Sequence, residues 1–308
     1  MKKYCILIIC LFSLGHLWAQ QDAQYSLYQF NQMSINPAYA GARDAIAVIM
    51  DVRKQWAGFG DGAPTTLGFT VHSPILNNKV GVGLNVISDK IGARSVTGAY
   101  GNFAYIAKLN NRIKLSFGLR AGYLNYQFNY SKVNYQYAES GTVDLSNANK
   151  GALDMDAGVF LKSNTFFAGI SATHLTQANI YTIPVGQLAN SSSYVLASHL
   201  FIVVGKAFAV NENVVFNPTV MIKSVRSQTT ADLNFNVLLK KRIWLGTFLR
   251  GGYGIGALIQ VYATDKFRIG YSYDTGLGIK KQLGSSHEFM LGFDFGNYQS
   301  KMVSPRLL

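Results

Sequence analysis

The sequence predicts a closed antiparallel transmembrane β-barrel of about fourteen strands, with an irregular N-terminal segment plugging the lumen or its periplasmic mouth. Three observations carry this. Apolar and polar residues alternate with a period of two along most of the chain, the period of a strand whose two faces meet different surroundings. Many alternating runs reach roughly 9–11 residues, the length that crosses a bilayer, where soluble sheets favour about 5–6. Tight connections at Asn110-Asn111, Ser163-Asn164, Asn211 to Asn213 and Thr264-Asp265 alternate with long polar ones at 127–152 and 175–193, as short periplasmic turns alternate with outer loops. Alternation alone also fits a dry β-sandwich. Strand length favours the barrel, which must close because hydrocarbon tolerates no open sheet edge.

In chain order, Met1 to Ala19 reads as a signal peptide. Lys2-Lys3 form a positive start, Tyr4 to Leu14 an apolar core too short to span, and Leu17-Trp18-Ala19 a cleavage site. Both cysteines, Cys5 and Cys10, fall inside it, and Cys10 follows Ile8-Ile9, which disfavours lipoprotein processing. The exported chain therefore has no disulfide to stabilise it.

Residues 20–44 form the irregular segment. Amide and aromatic residues lead into Asn36-Pro37-Ala38-Tyr39-Ala40-Gly41, too rich in breakers for a long helix or a central strand. Strand grammar starts at Ile46 and persists through the barrel, 45–308. The expected strands lie near 46–56, 65–73, 79–88, 96–108, 112–126, 153–162, 164–174, 194–206, 213–223, 229–240, 242–253, 255–263, 266–274 and 286–296. In the fifth, Ile113, Leu115, Phe117, Leu119 and Tyr123 share one face and Arg112, Lys114, Ser116 and Arg120 the other. In the last, Phe289, Leu291, Phe293 and Phe295 oppose Glu288, Gly292 and Asp294. The most apolar run after the signal, Ile243 to Ala263, contains Arg250 and five glycines, which rules out a spanning helix. Pro218 lies inside an expected strand and marks a bulge, a rim position or a strand end.

Composition agrees with a membrane barrel. Charged residues are 14%, against about 25% in soluble domains, beside 30 Gly, 18 Tyr and 19 Phe. The net charge of +13 comes from dispersed Lys and Arg, which suit a solvated lumen or rim and form no nucleic-acid patch. No catalytic, cofactor or metal site emerges. His72, His174, His199 and His287 have no close ligand spacing. Asp154 and Asp156 share a face with Lys162, a pattern of lumen charge. Gly251-Gly252-Tyr253-Gly254-Ile255-Gly256 lacks the lysine and spacing of a phosphate loop and reads as a strand-to-strand turn, and Ser191 to Ser193 lacks a nucleophile elbow. The chain is not expected to be an enzyme.

Several stretches resemble the PorP/SprF family of type IX secretion outer-membrane proteins of Bacteroidetes. They include Gln24-Tyr25, Tyr28-Gln29-Phe30-Asn31, Ser34-Ile35-Asn36-Pro37-Ala38-Tyr39-Ala40-Gly41, Arg53-Lys54-Gln55-Trp56, Gly62-Ala63-Pro64 and His72-Ser73-Pro74. Gly270-Tyr271-Ser272-Tyr273-Asp274 and Ser286-His287-Glu288 extend the likeness toward the C-terminus. The resemblance implies an outer-membrane component that serves export or surface attachment of cargo with C-terminal sorting domains, including gliding-motility adhesins. The implied partners are outer-membrane lipid, type IX machinery subunits and that cargo, with no cofactor. A passive porin for small solutes is the alternative on the same fold. The site residues it suggests are Tyr28, Phe30, Asn36, Pro37, Tyr39, Gly41, Arg53, Trp56, His72 and Pro74. They either fill the lumen or contact a partner, and Trp56 is either an interfacial girdle residue or part of a docking surface.

Overall fold

In the computed structural model, which describes residues 24–129, 148–183 and 192–296, fourteen antiparallel strands close into one barrel. The described strand segments are β1 Ile46–Lys54, β2 Thr65–Ile75, β3 Val80–Ile91, β4 Arg94–Lys108, β5 Lys114–Phe128 and β6 Ala148–Lys162. Then come β7 Phe166–Thr173, β8 Asn179–Ile183, β9 Ser192–Val195, β10 His199–Lys206, β11 Phe208–Asn211 and β12 Val214–Val225, of which β8 and β9 form a separate pair outside the ring. Last are β13 Gln228–Leu239, β14 Ile243–Arg250, β15 Gly254–Tyr262, β16 Phe267–Gly276 and β17 Ser285–Phe295. β1 pairs with β17 along its whole length, and β10 pairs with both β7 and β12, so the ring has no free edge there. β10 and β11 both pair with β12 and are one barrel strand interrupted at Ala207. The expected signal peptide, 1–19, lies outside the described residues.

The two faces of the wall reverse the order of a soluble protein. Outward side chains are apolar and bare: Met50, Leu67, Phe103, Leu119, Leu153, Phe235 and Phe289 are each about half exposed or more. Inward side chains are polar and buried, among them Asp51, Arg53, Asn102, Arg120, Asn234, Asn236, Arg250, Arg268 and Glu288. Lipid accounts for the bare apolar band, and closure satisfies the backbone groups that lipid cannot. Among the described residues no helix is long and apolar enough to cross a membrane.

The connections differ between the two ends. At one end they are short, at 76–79, 109–113, 163–165, 212–213, 240–242 and 263–266. The opposite end carries 55–64, 129–147, 174–198 and 277–284 beside the tighter 92–93, 226–227 and 251–253. The short-turn end is periplasmic and the other faces outward by the pattern of outer-membrane barrels. Both long connections differ from expectation. β5 and β6 continue in register to Phe128 and Ala148, because their ladder hydrogen bonds persist above the bilayer where Gln127 and Lys150 stand exposed. The expected strand 194–206 is two elements: β9 pairs only with β8, and the barrel strand begins at His199. The reason is apolar burial over the lumen, where Ile180 and Leu196 of the β8–β9 hairpin region pack on inward Val96, Tyr100, Leu124 and Tyr126. Pro218 pairs with Phe235 on β13 but stands opposite the interruption between β10 and β11, with no partner on that side. A residue without an N–H is tolerated where the ladder is already broken.

Candidate functional site in the lumen

Residues 24–45 occupy the interior of the ring. Three single 3-10 turns, Tyr28–Phe30, Gln32–Ser34 and Pro37–Tyr39, are all that this stretch forms before β1. The third turn is the most locally determined. Asn36 is extended, its Oδ1 accepts the Ala38 N–H at 2.9 Å, and Pro37 occupies the first helical position, where no N–H is required. The same Asn36 side chain donates through Nδ2 to the Val159 and Ile170 carbonyls, at 3.1 and 3.4 Å, on β6 and β7.

At the outer end the segment is held by charge. The Glu288 carboxylate accepts the Ser26 and Leu27 N–H groups at 2.7 and 3.0 Å. Arg53 donates to Ser26 Oγ, Glu288 and Asp274 at 2.9, 2.9 and 2.7 Å and is 0% exposed. Arg250 reaches the Tyr25 carbonyl at 3.1 Å while paired with Asp232 at 2.9 Å. Midway, the Tyr28 hydroxyl accepts from Asn234, Gln29 Oε1 accepts from Asn236 and Asn31 Nδ2 donates to Asp51, each at 2.7 Å. The Phe30 ring lies 6.0 Å from that of Trp244.

At the periplasmic end the contact is mainly packing. The Tyr39 ring meets His72 and Phe160 edge-on, at 5.6 and 5.2 Å between centroids. The Gly41 N–H donates to His72 Nδ1 at 3.2 Å, which assigns the imidazole proton to Nε2. Lumen-facing glycines make room for the backbone: a Cβ at Gly81 would overlap the Ala40 carbonyl, at Gly118 the Pro37–Ala38 backbone, and at Gly158 the Asn36 side chain. Arg43 then pairs with Asp294 at 2.9 Å, which also accepts from Arg268 at 2.6 Å, and Lys162 donates to the Ala42 carbonyl at 3.0 Å. Burial opposes the charge on Arg43, but Asp294 together with Tyr39 and Tyr262 outweighs it and holds the guanidinium pKa well above its ordinary value. Burial pushes the Tyr39 hydroxyl up, against the pull of Arg43.

Of the residues singled out in the sequence, Tyr28, Phe30, Asn36, Pro37, Tyr39, Gly41, Arg53 and His72 converge along this path. Pro74 joins them at the base, beside Gly41. Trp56 does not: it sits beyond β1 in the 55–64 connection, its ring 6.3 Å from that of Phe59 and its backbone N–H donating to Ser286 Oγ at 3.4 Å. Sequence reading missed the wall partners Asp274, Glu288, Asp294, Asn234 and Asn236. The signal that marks them is parity, since each occupies the polar face of its strand.

Folding also assembles a cluster that spacing did not reveal. Ligand atoms of Asp154, Asp156 and His174 lie within 4.8 Å of one another. The residues do not suit a metal, because the chain's own donors already take every carboxylate oxygen. Asp154 Oδ2 accepts from the Tyr100 hydroxyl at 2.9 Å and pairs with His174 Nδ1, and its Oδ1 accepts from Met155 N–H and Thr176 Oγ1. Asp156 takes Arg120 Nε on one oxygen and the His174 N–H, at 2.8 Å, on the other. The cluster pins the connection after β7 to β6.

The sequence profile of the family described as type IX secretion system membrane protein PorP/SprF matches residues 17–293. No curated protein sequence matches the chain. Among solved structures, the CymD monoaromatic hydrocarbon channel is similar with a TM-score of 0.51 at 9% identity, over 87% of this chain and 94% of that one. A Pseudomonas aeruginosa FadL homologue superposes with a TM-score of 0.48 at 10% identity, over 85% and 93%. The Acinetobacter baumannii outer-membrane protein Omp33 does so with a TM-score of 0.45 at 10% identity, over 82% and 98%. At 9% identity the likeness to CymD is one of fold alone.

Proposed function

We propose, from the premise that this chain belongs to the type IX secretion system PorP/SprF membrane-protein family and lies in the outer membrane as a closed barrel, that it is a docking component rather than a conduit. In this reading the barrel serves export or surface attachment of cargo carrying C-terminal sorting domains, adhesins among them, and residues 24–45 close its lumen. The supporting observation is the course of that segment. It passes from Glu288 and Arg53 at the outer end to Asp294 at the periplasmic end, bonded to the wall throughout. A charged side chain buried in such a network is costly to unpair, by about 3–5 kcal/mol, which argues against a freely open pore.

Affinity purification from the native membrane tests the proposal, with recovery of secretion-machinery subunits or a large cargo bearing a C-terminal sorting domain as the expected outcome. Recovery of neither overturns it. Planar-bilayer recording separates it from the passive-porin alternative: the purified barrel is expected to stay closed, and steady conductance without partners would favour the porin.

A further inference from the structure

The segment does not fill the lumen completely. Between it and the wall formed by β1–β5, β7 and β10 lies a cavity of about 100 Å³. Asn31 of the segment lines it, as do Asp51 of β1 and Thr173 of β7. Asn31 Oδ1 and Thr173 Oγ1 have no hydrogen-bond partner among the described residues, although these residues are only 4% and 3% exposed.

Asp51 is the odd member of the lumen. Among the described residues, every other buried carboxylate has a basic partner: Asp89 faces Arg94, Asp154 His174, Asp156 Arg120, Asp232 Arg250, Asp274 and Glu288 Arg53, and Asp294 Arg43. Asp51, 3% exposed, has the Asn31 amide at 2.7 Å and no ion pair among the described residues. A buried carboxylate without an ion-pair partner is costly, and the same cavity holds the unused Asn31 carbonyl oxygen, an acceptor, beside the Thr173 hydroxyl, which can donate or accept. The lining also includes Leu124 and Tyr126 of β5, and Tyr100 of β4, whose face is already covered by the Arg120 guanidinium at 4.7 Å, itself paired with Asp156. The Tyr126 ring offers an aromatic surface that attracts cations, and Leu124 suits a short alkyl chain.

We infer that this cavity binds a small organic cation, a primary alkylammonium, whose N–H groups donate to Asp51 and Asn31 while its alkyl body lies along Leu124 and Tyr126. The volume limits the ligand to ~3–5 non-hydrogen atoms, since a cavity of about 150 Å³ is what admits benzene. Such a ligand bridges the segment, through Asn31, to the wall, through Asp51.

The test uses the full chain folded in detergent micelles, with n-propylammonium chloride as the probe and 1-propanol as its uncharged counterpart, at fixed ionic strength. Saturation-transfer NMR is expected to show saturable propylammonium binding, with 1-propanol weaker by about tenfold or more. Asp51→Asn is expected to weaken propylammonium by about tenfold, and Thr173→Val by about threefold. The inference is overturned if the wild-type chain shows no saturable signal, if 1-propanol binds as well, or if folded Asp51→Asn binds unchanged. Should Asp51→Asn fail to fold, judged by heat-modifiable mobility, Val96→Phe narrows the cavity without touching its charge. Loss of binding then supports the site and retained affinity overturns it.

Discussion

The two ends of the lumenal segment are held by different physics. At the outer end, Ser26 and Leu27 sit on Glu288, and Arg53 joins that carboxylate to Asp274. At the periplasmic end, the stretch from Asn36 to Gly41 is seated in hollows at Gly81, Gly118 and Gly158 and braced by Tyr39 against His72 and Phe160. Charge pairs act through a few atoms and fail abruptly when one is removed. Close packing is spread over many contacts, each worth little, and fails when volume is added. The outer hold is therefore the one a partner could reverse by offering competing charges, while the stretch from Asn36 to Gly41 is fixed by shape, with the buried Arg43–Asp294 pair just beyond it.

The largest expected effect comes from breaking the outer hold. Arg53→Met leaves Glu288 and Asp274 as neighbouring buried carboxylates without their cation. It should cost about 3–5 kcal/mol, read as a lowered urea midpoint of the barrel in phospholipid vesicles. Adding Asp274→Asn and Glu288→Gln removes the unpaired charges and should recover much of the loss. If the triple variant is no better than Arg53→Met alone, charge is not what holds this end. The counterpart at the other end is Gly118→Val, whose side chain meets the Pro37–Ala38 backbone. It should cost about 1–3 kcal/mol and raise protease cleavage within residues 24–45. An unchanged cleavage pattern would show that the segment does not depend on the glycine hollow.

How much of this was legible in the sequence also divides along the same line. The wall was readable, because lipid on one face and water or buried charge on the other impose a period of two that Ile113 to Tyr123 displays residue by residue. So was the Asn36-Pro37 turn, since its cap is local in sequence. The outer hold was half readable: Arg53 and Glu288 stand on polar faces, but their meeting joins positions 235 apart and nothing local announces it. The glycine hollows were not readable. A glycine in a strand looks like a weak strand former, and only the approach of Ala38 or Ala40 gives Gly118 and Gly81 their purpose. The β8–β9 hairpin escaped for a related reason, because Ile180 and Leu196 are buried by lumen residues from β4 and β5, far away in the chain.

A smaller effect belongs to Asn36, which joins local turn to distant wall. Asn36→Ala loses the cap on Ala38 and both carbonyl contacts on β6 and β7. About 1–2 kcal/mol is expected, again from the urea midpoint. Asn36→Ser, whose hydroxyl keeps an acceptor for the cap but is too short to reach the wall carbonyls, should lie between wild type and Ala. Equal losses for the two variants would assign the whole effect to the wall contacts.

The smallest effect is a pH dependence, read most directly at the packed end. Burial raises the Tyr39 hydroxyl above its ordinary value near 10, so the folded state disfavours the phenolate more than the unfolded chain does. The sign follows from proton linkage: above pH 10 the folded chain binds the proton that the unfolded chain has released. Stability from this group is therefore complete below pH 10 and declines as pH rises through the unfolded value toward the raised folded one. Tyr28, buried and shifted in the same direction chiefly by desolvation, adds to the decline. Tyr39→Phe keeps the ring edge against His72 and Phe160 and removes the ionisation, so between pH 10 and 11 its urea midpoint should fall less steeply than that of the wild-type chain. Parallel slopes for the two proteins would mean that the Tyr39 hydroxyl meets solvent, and that the periplasmic end of the segment is less closely seated than its ring contacts indicate.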